Sequence, residues 1–211
     1  MTISKELKEA ISQLHPEEKD KLIFRLLKKD VQLANQLYFE LLANESREDR
    51  REKAQKKIEE WISVYKRSNH YSTPGILLMY MRDASGYVNE HVKTTKDKYG
   101  EVYLQIFVLK KFLQIYNELF LNASPDRSYT LNIYMTAKTF KIMVLLKKMH
   151  EDYLIDFVDD LEAAGRLFGQ NPSLMKVAIR NGLDVNWLIN GDIPDNIAEI
   201  EKDLRQRGYL K

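Results

Sequence analysis

Apolar side chains recur along this chain at intervals of three and four, and the pattern restarts at each proline. Ile3, Leu7, Ala10, Ile11 and Leu14 mark one face of a short first helix, because residues three or four apart lie on the same side of a 3.6-residue turn. His15-Pro16 interrupts it, and Leu22, Ile23, Leu26 and Leu27 are expected to form the buried stripe of a second. Asp30 is placed to cap a third, whose face is Leu33, Ala34, Leu37, Tyr38, Leu41 and Leu42. Joints this short predict helices packed antiparallel.

A fourth helix is expected from about Ser46 to Arg67. Its front half, Arg47 to Lys53, is nearly all charge and is expected to project into solvent, with Asp49–Lys53 and Glu52–Lys56 as four-apart pairs. Ala54, Ile58, Trp61, Ile62 and Tyr65 supply its apolar face. Ser72-Thr73-Pro74 opens a fifth, carrying Ile76, Leu77, Tyr80, Tyr87, Val88 and His91. Tyr99-Gly100 reads as a break before the most apolar helix, Val102 to Leu121, whose composition places it centrally. Tyr129, Leu131, Ile133 and Met135 alternate as in a strand. Ile133, Ala137, Phe140, Val144 and Leu145 fit a helix through the same stretch, and its length and helical neighbours favour the helix. His150 to Tyr153 opens another, with Leu154, Phe157, Val158 and Leu161 inside.

Pro16, Pro74, Pro172 and Pro194 fall where a new helix would begin, and Pro125 falls in a turn-rich link. A first-turn proline forfeits no helical hydrogen bond. The expected fold is all-α: an irregular array of stacked antiparallel helix pairs, superhelix-like, over residues 1–164. From Gly165 the pattern changes to shorter pieces broken by Gly169, Asn171-Pro172, Gly182 and Gly191, and residues 165–211 are expected to form a looser cap of short helices on the same domain. No fixed-period repeat marks a tetratricopeptide or ankyrin array.

Composition narrows the function classes. Lys+Arg 33 against Asp+Glu 31 gives a formal charge of +2, too little to drive contact with nucleic acid or anionic lipid by itself. With Cys 0 there is neither a disulfide nor a thiolate ligand or nucleophile, which fits a reducing cytoplasm. The N-terminus enters an amphipathic pattern without a signal-peptide core, and no apolar run is long enough to span a bilayer. No phosphate-binding glycine loop, nucleophile elbow or paired histidine ligands occur, and the sequence calls for no cofactor.

Three patterns carry candidate chemistry. Spacings of four, three and four are expected to put Asp152, Asp156, Asp159 and Asp160 on one helix face, and carboxylates so arranged hold hard cations such as Mg²⁺. The competing reading is a solvated face opposite Leu154, Phe157, Val158 and Leu161, and that opposition is the clearer signal. Glu45/Glu48 and Asp156/Asp159 repeat the paired-acid spacing of Mg²⁺-dependent helical nucleotide pyrophosphatases, at a frequency chance also supplies. Tyr65, Lys66, Arg67, His70 and Tyr71 interleave bases and aromatics, as a phosphate- or partner-gripping corner does and as an ordinary helix C-terminus also does. Trp187 is expected to anchor the core.

Lys5-Glu6-Leu7-Lys8, Leu22 to Leu42, Thr94 to Glu101 (TTKDKYGE) and Leu146 to Tyr153 (LKKMHEDY) resemble an uncharacterised family of bacterial helical proteins, over about the first 160 residues. The resemblance implies an all-helical fold of stacked helix pairs. It brings no established activity; relatives sometimes bear a deoxyuridine-triphosphatase label, which the poor acid pairing here does not support. The expected function is a non-enzymatic helical scaffold that binds another protein. The alternatives are a metal-dependent nucleotide or phosphoester hydrolase using the Asp152–Asp160 face, and a nucleic-acid-binding protein. Nothing in the pattern sets the oligomeric state.

Overall fold

Most helices begin where the sequence supplies an acceptor for their free amides. In the computed structural model, which describes residues 3–67 and 73–211, Ser4 caps α1 (Lys5–Gln13) by accepting from the Leu7 amide at 3.3 Å. After α2 (Pro16–Lys29), Asp30 accepts from the Leu33 amide at 3.0 Å and starts α3 (Val31–Leu42). Ser46 and Asp49 cap one another's amides at 2.8 and 3.0 Å ahead of α4 (Arg47–Arg67). Thr73 starts α5 (Pro74–Thr95), Asp97 starts α6 (Lys98–Phe120), and α7 (Pro125–Leu146) follows a short turn. A 3₁₀ segment (Glu151–Phe157) leads into α8 (Val158–Gly169), then α9 (Pro172–Arg180), α10 (Asn186–Ile189) and α11 (Ile197–Gln206). The protein is all-α, and the described residues contain no strand.

α6 occupies the centre and packs against α4, α5, α7 and α8. Leu104, Val108, Phe112, Leu113 and Ile115 are buried along it, each contributing roughly 1.5–3 kcal/mol of transfer free energy. α8 lies on α6, α9 and α11 lie on α7, and α10 lies on α8. The C-terminal helices therefore close the same core. No helix among the described residues is long and apolar enough to cross a membrane.

Several expectations need correction. Pro125 is the first residue of α7 rather than part of a link, whereas Pro194 precedes α11 by three residues and accepts from the Ile197 amide at 3.1 Å. Tyr99-Gly100 is no break, because α6 already starts at Lys98. Gly165 lies inside α8, where a Cβ would meet Ile189 Cγ1 at 2.7 Å, so α10 approaches at glycine distance. The alternation at residues 129–135 is helical because Asn132 and Thr136, between the apolar positions, are themselves buried, with the Thr136 hydroxyl bonded to the Asn132 carbonyl at 2.8 Å. The front of α4 does not simply project, since Arg51 turns inward. Asp49 caps rather than pairing with Lys53, which reaches Glu45 instead.

α1, α2 and α3 differ from everything after them. None contains a buried residue. α3 lies on α5 and α2 lies on α3, while α1 makes only marginal contact with other elements. These helices form an arm attached to the body through α3.

Candidate functional site

The four aspartates do not converge. The 3₁₀ turn over Glu151–Phe157 breaks the spacing that a continuous α-helix would have given them. Asp152 lies 3.1 Å from His150 Nδ1, Asp156 accepts from the Tyr99 hydroxyl at 3.2 Å, Asp160 pairs with Lys110, and Asp159 is exposed. Glu45 is taken up by Lys53 and, at 3.6 Å, by Arg50. Among the described residues no three histidine or carboxylate side chains are grouped to hold a metal ion. The face opposite is only partly core: Phe157 and Leu161 are buried, but Val158 is exposed.

The basic-aromatic corner also divides. Tyr65 is buried and packs edge-on against Tyr80 with ring centroids 5.1 Å apart. Lys66 reaches Glu118 at 2.8 Å, and Arg67 donates to the Ser63 carbonyl at 3.3 Å. His70 and Tyr71 lie outside the described residues. Trp187 is half-buried and sits edge-on to Phe140.

The most strongly organised polar group was not legible as such. Asp97, only 4% exposed, receives the Gly100 amide at 2.8 Å and Arg51 Nε at 3.0 Å, and His91 Nε2 lies 3.4 Å away. Burial pushes its carboxyl up, but hydrogen bonds from His91, the Gly100 amide and Arg51, with the Arg51 charge, outweigh that and hold it at about 2. The Arg51 guanidinium also covers the Tyr99 ring at 4.7 Å, and Tyr99 in turn packs on Tyr153 and Phe157. Gly100 is required by proximity: a Cβ there would stand 2.1 Å from Asp97 Oδ2. The sequence signal is the Asp-x-x-Gly spacing after Thr94-Thr95, a cap whose third amide closes on the carboxylate. The group ties α4 to the α5–α6 joint, and its charges are mutually satisfied.

Lys138 on α7 is buried, donating to Gln105 on α6 and, at 2.9 Å, to Ser85 on α5. Burial, with a smaller push from Lys141, brings its amine down to about 7. A small cavity of about 180 Å³ adjoins it, lined also by Asn89, Tyr134 and Arg205. An amine of that basicity suits proton transfer. Ser85, however, commits its hydroxyl proton to the Met81 carbonyl at 2.7 Å, so the pair is arranged as a cross-brace between three helices rather than as a base and nucleophile.

The remaining feature is the arm. Between Ile3 and Leu42, eleven large apolar side chains are more than a third exposed, with Phe24 at 61% and Leu41 at 75%. Leu7, Ala10, Ile11, Leu14 and Leu22 line an open groove between α1 and α2. The chain matches no family model, no curated protein and no solved structure. The Arg51 and Asp97 charges are paired with one another inside the body, and the exposed large apolar side chains are concentrated in α1–α3.

Proposed function

We propose that this protein is a non-enzymatic helical scaffold that binds protein through its α1–α3 arm. The observation that carries the reading is the eleven exposed apolar side chains of residues 3–42, in helices that bury no residue. Large apolar side chains exposed at this density, on helices that bury none of their own residues, mark an interaction surface. Amphipathic helices with an uncovered apolar face are completed by another apolar face. Protein suits this arm better than lipid, because Glu6, Glu9, Glu17, Glu18 and Asp20 stand among its bases, whereas membrane-surface helices carry a basic polar face. Kinship with the bacterial helical family and a cytoplasmic setting belong to the same proposal, supported by the sequence segments quoted above and by the lack of cysteine.

Site-specific photo-crosslinking in living cells tests the reading. A photoreactive side chain replacing Phe24 is expected to yield protein adducts, and one replacing the equally exposed Ile179 on α9 is expected to yield few. Position 24 giving no more protein adducts than position 179 contradicts it.

A further inference from the structure

We infer that the arm's partner is a second copy of this chain, with the two α2 helices paired antiparallel across a two-fold axis near Phe24. The inference rests on the docking reading above and specifies its partner.

The charge pattern of α2 is the first argument. Its first turn carries Glu17 and Glu18, with Asp20 following, and its last turn carries Lys28 and Lys29. Asp20, Phe24 and Lys28 stand four residues apart and so form one ridge of the helix. All three are exposed, and among the described residues neither Asp20 nor Lys28 enters an ion pair within the chain. The groove facing α1 is lined by Glu18, Lys21, Leu22 and Arg25, and the ridge borders that groove without lining it, which leaves all three side chains exposed beside it. An antiparallel pair centred on Phe24 sets the two Phe24 rings together and places Asp20 opposite Lys28 of the second copy. The axis repeats that contact at the other end, as an isologous interface must. A parallel pair would oppose acid to acid and base to base.

The second argument is area. A compact monomer of 24.9 kDa exposes about 10,000 Å² of surface. This chain exposes 13275 Å², a surplus of about 3,000 Å². A stable interface takes about 800 Å² from each partner, so the surplus is ample for one. A formal charge of +2 gives two copies little long-range repulsion.

Sedimentation velocity on the full chain, from about 1 to about 100 µM, tests the pairing. The wild type is expected to shift to a mass of two chains. Phe24→Glu is expected to weaken the dimer by at least about tenfold, and Asp20→Lys or Lys28→Glu alone by about tenfold. The double variant Asp20→Lys/Lys28→Glu is expected to recover wild-type association, and an equimolar mixture of the two single variants to form the mixed dimer preferentially. All three positions are exposed, so circular dichroism should report unchanged helix content. A wild type that stays monomeric throughout, or a dimer indifferent to these changes, overturns the inference. A monomer whose position 24 crosslinks to a different protein overturns the pairing and leaves the scaffold reading standing. A monomer with no adducts at position 24 overturns both.

Discussion

Asp97→Asn is the substitution whose consequence follows most directly from the structure. The asparagine keeps an acceptor for the Gly100 amide but removes the charge facing Arg51, whose side chain is only 17% exposed. A carboxyl held at about 2 instead of its ordinary 3.8 corresponds to about 2 kcal/mol of native-state stabilisation at neutral pH. Leaving a largely buried guanidinium without its counter-charge adds to that, so a loss of about 2–3 kcal/mol is expected at pH 7. The sign of the pH dependence is fixed. The native carboxyl binds its proton more weakly than the unfolded one, so the stabilisation is complete above about pH 4 and disappears as the pH falls through about 2. Urea unfolding followed by far-ultraviolet circular dichroism, repeated over that range, measures it. The wild-type and Asp97→Asn stabilities should differ at neutral pH and converge in acid. A difference below about 0.5 kcal/mol at pH 7, within ordinary surface-substitution scatter, refutes the reasoning. So does a gap that persists unchanged below about pH 2.

Two further outcomes follow from the same packing. Gly100→Ala must displace the Asp97 carboxylate and should cost about 2–4 kcal/mol; combined with Asp97→Ala it should cost little more than Asp97→Ala alone, because both remove one interaction, and a double-mutant cycle in urea checks this. Lys138 has its amine at about 7, well below the ordinary 10.5. The unfolded chain therefore holds a proton there that the native state releases, and stability should rise with pH from about 7 towards about 9.5. Lys138→Met should flatten that slope, and an unaltered slope in thermal or urea unfolding would count against the assignment.

The helices were legible because apolar spacing and first-turn prolines both report the 3.6-residue repeat, as Pro16, Pro74 and Pro172 illustrate. What escaped was set by tertiary contact. Gly100 read as a break because glycine is a poor helix former, yet it sits in a helix where the Asp97 carboxylate comes too close for a Cβ. Asp156 and Asp159 looked like a metal-binding pair because the reading assumed one continuous helix through a segment that begins as 3₁₀. The Arg51–Asp97 pair joins residues 46 apart in the chain, and no local spacing announces such a partner. The arm was misjudged in the opposite sense. Leu26, Leu33 and Leu41 have the periodicity of core positions, and periodicity shows which face seeks cover without showing that this chain provides it.

Hydrogen exchange of the purified protein at about 1 and about 100 µM tests most directly the claim that a second copy covers the arm, since it reads coverage of the arm residue by residue. Amides of α2 and α3 should slow markedly at the higher concentration while those of α5, α6 and α7 remain unchanged. Arm amides that exchange at the same rate at both concentrations, or a slowing that falls on the body and spares residues 16–42, would contradict the account.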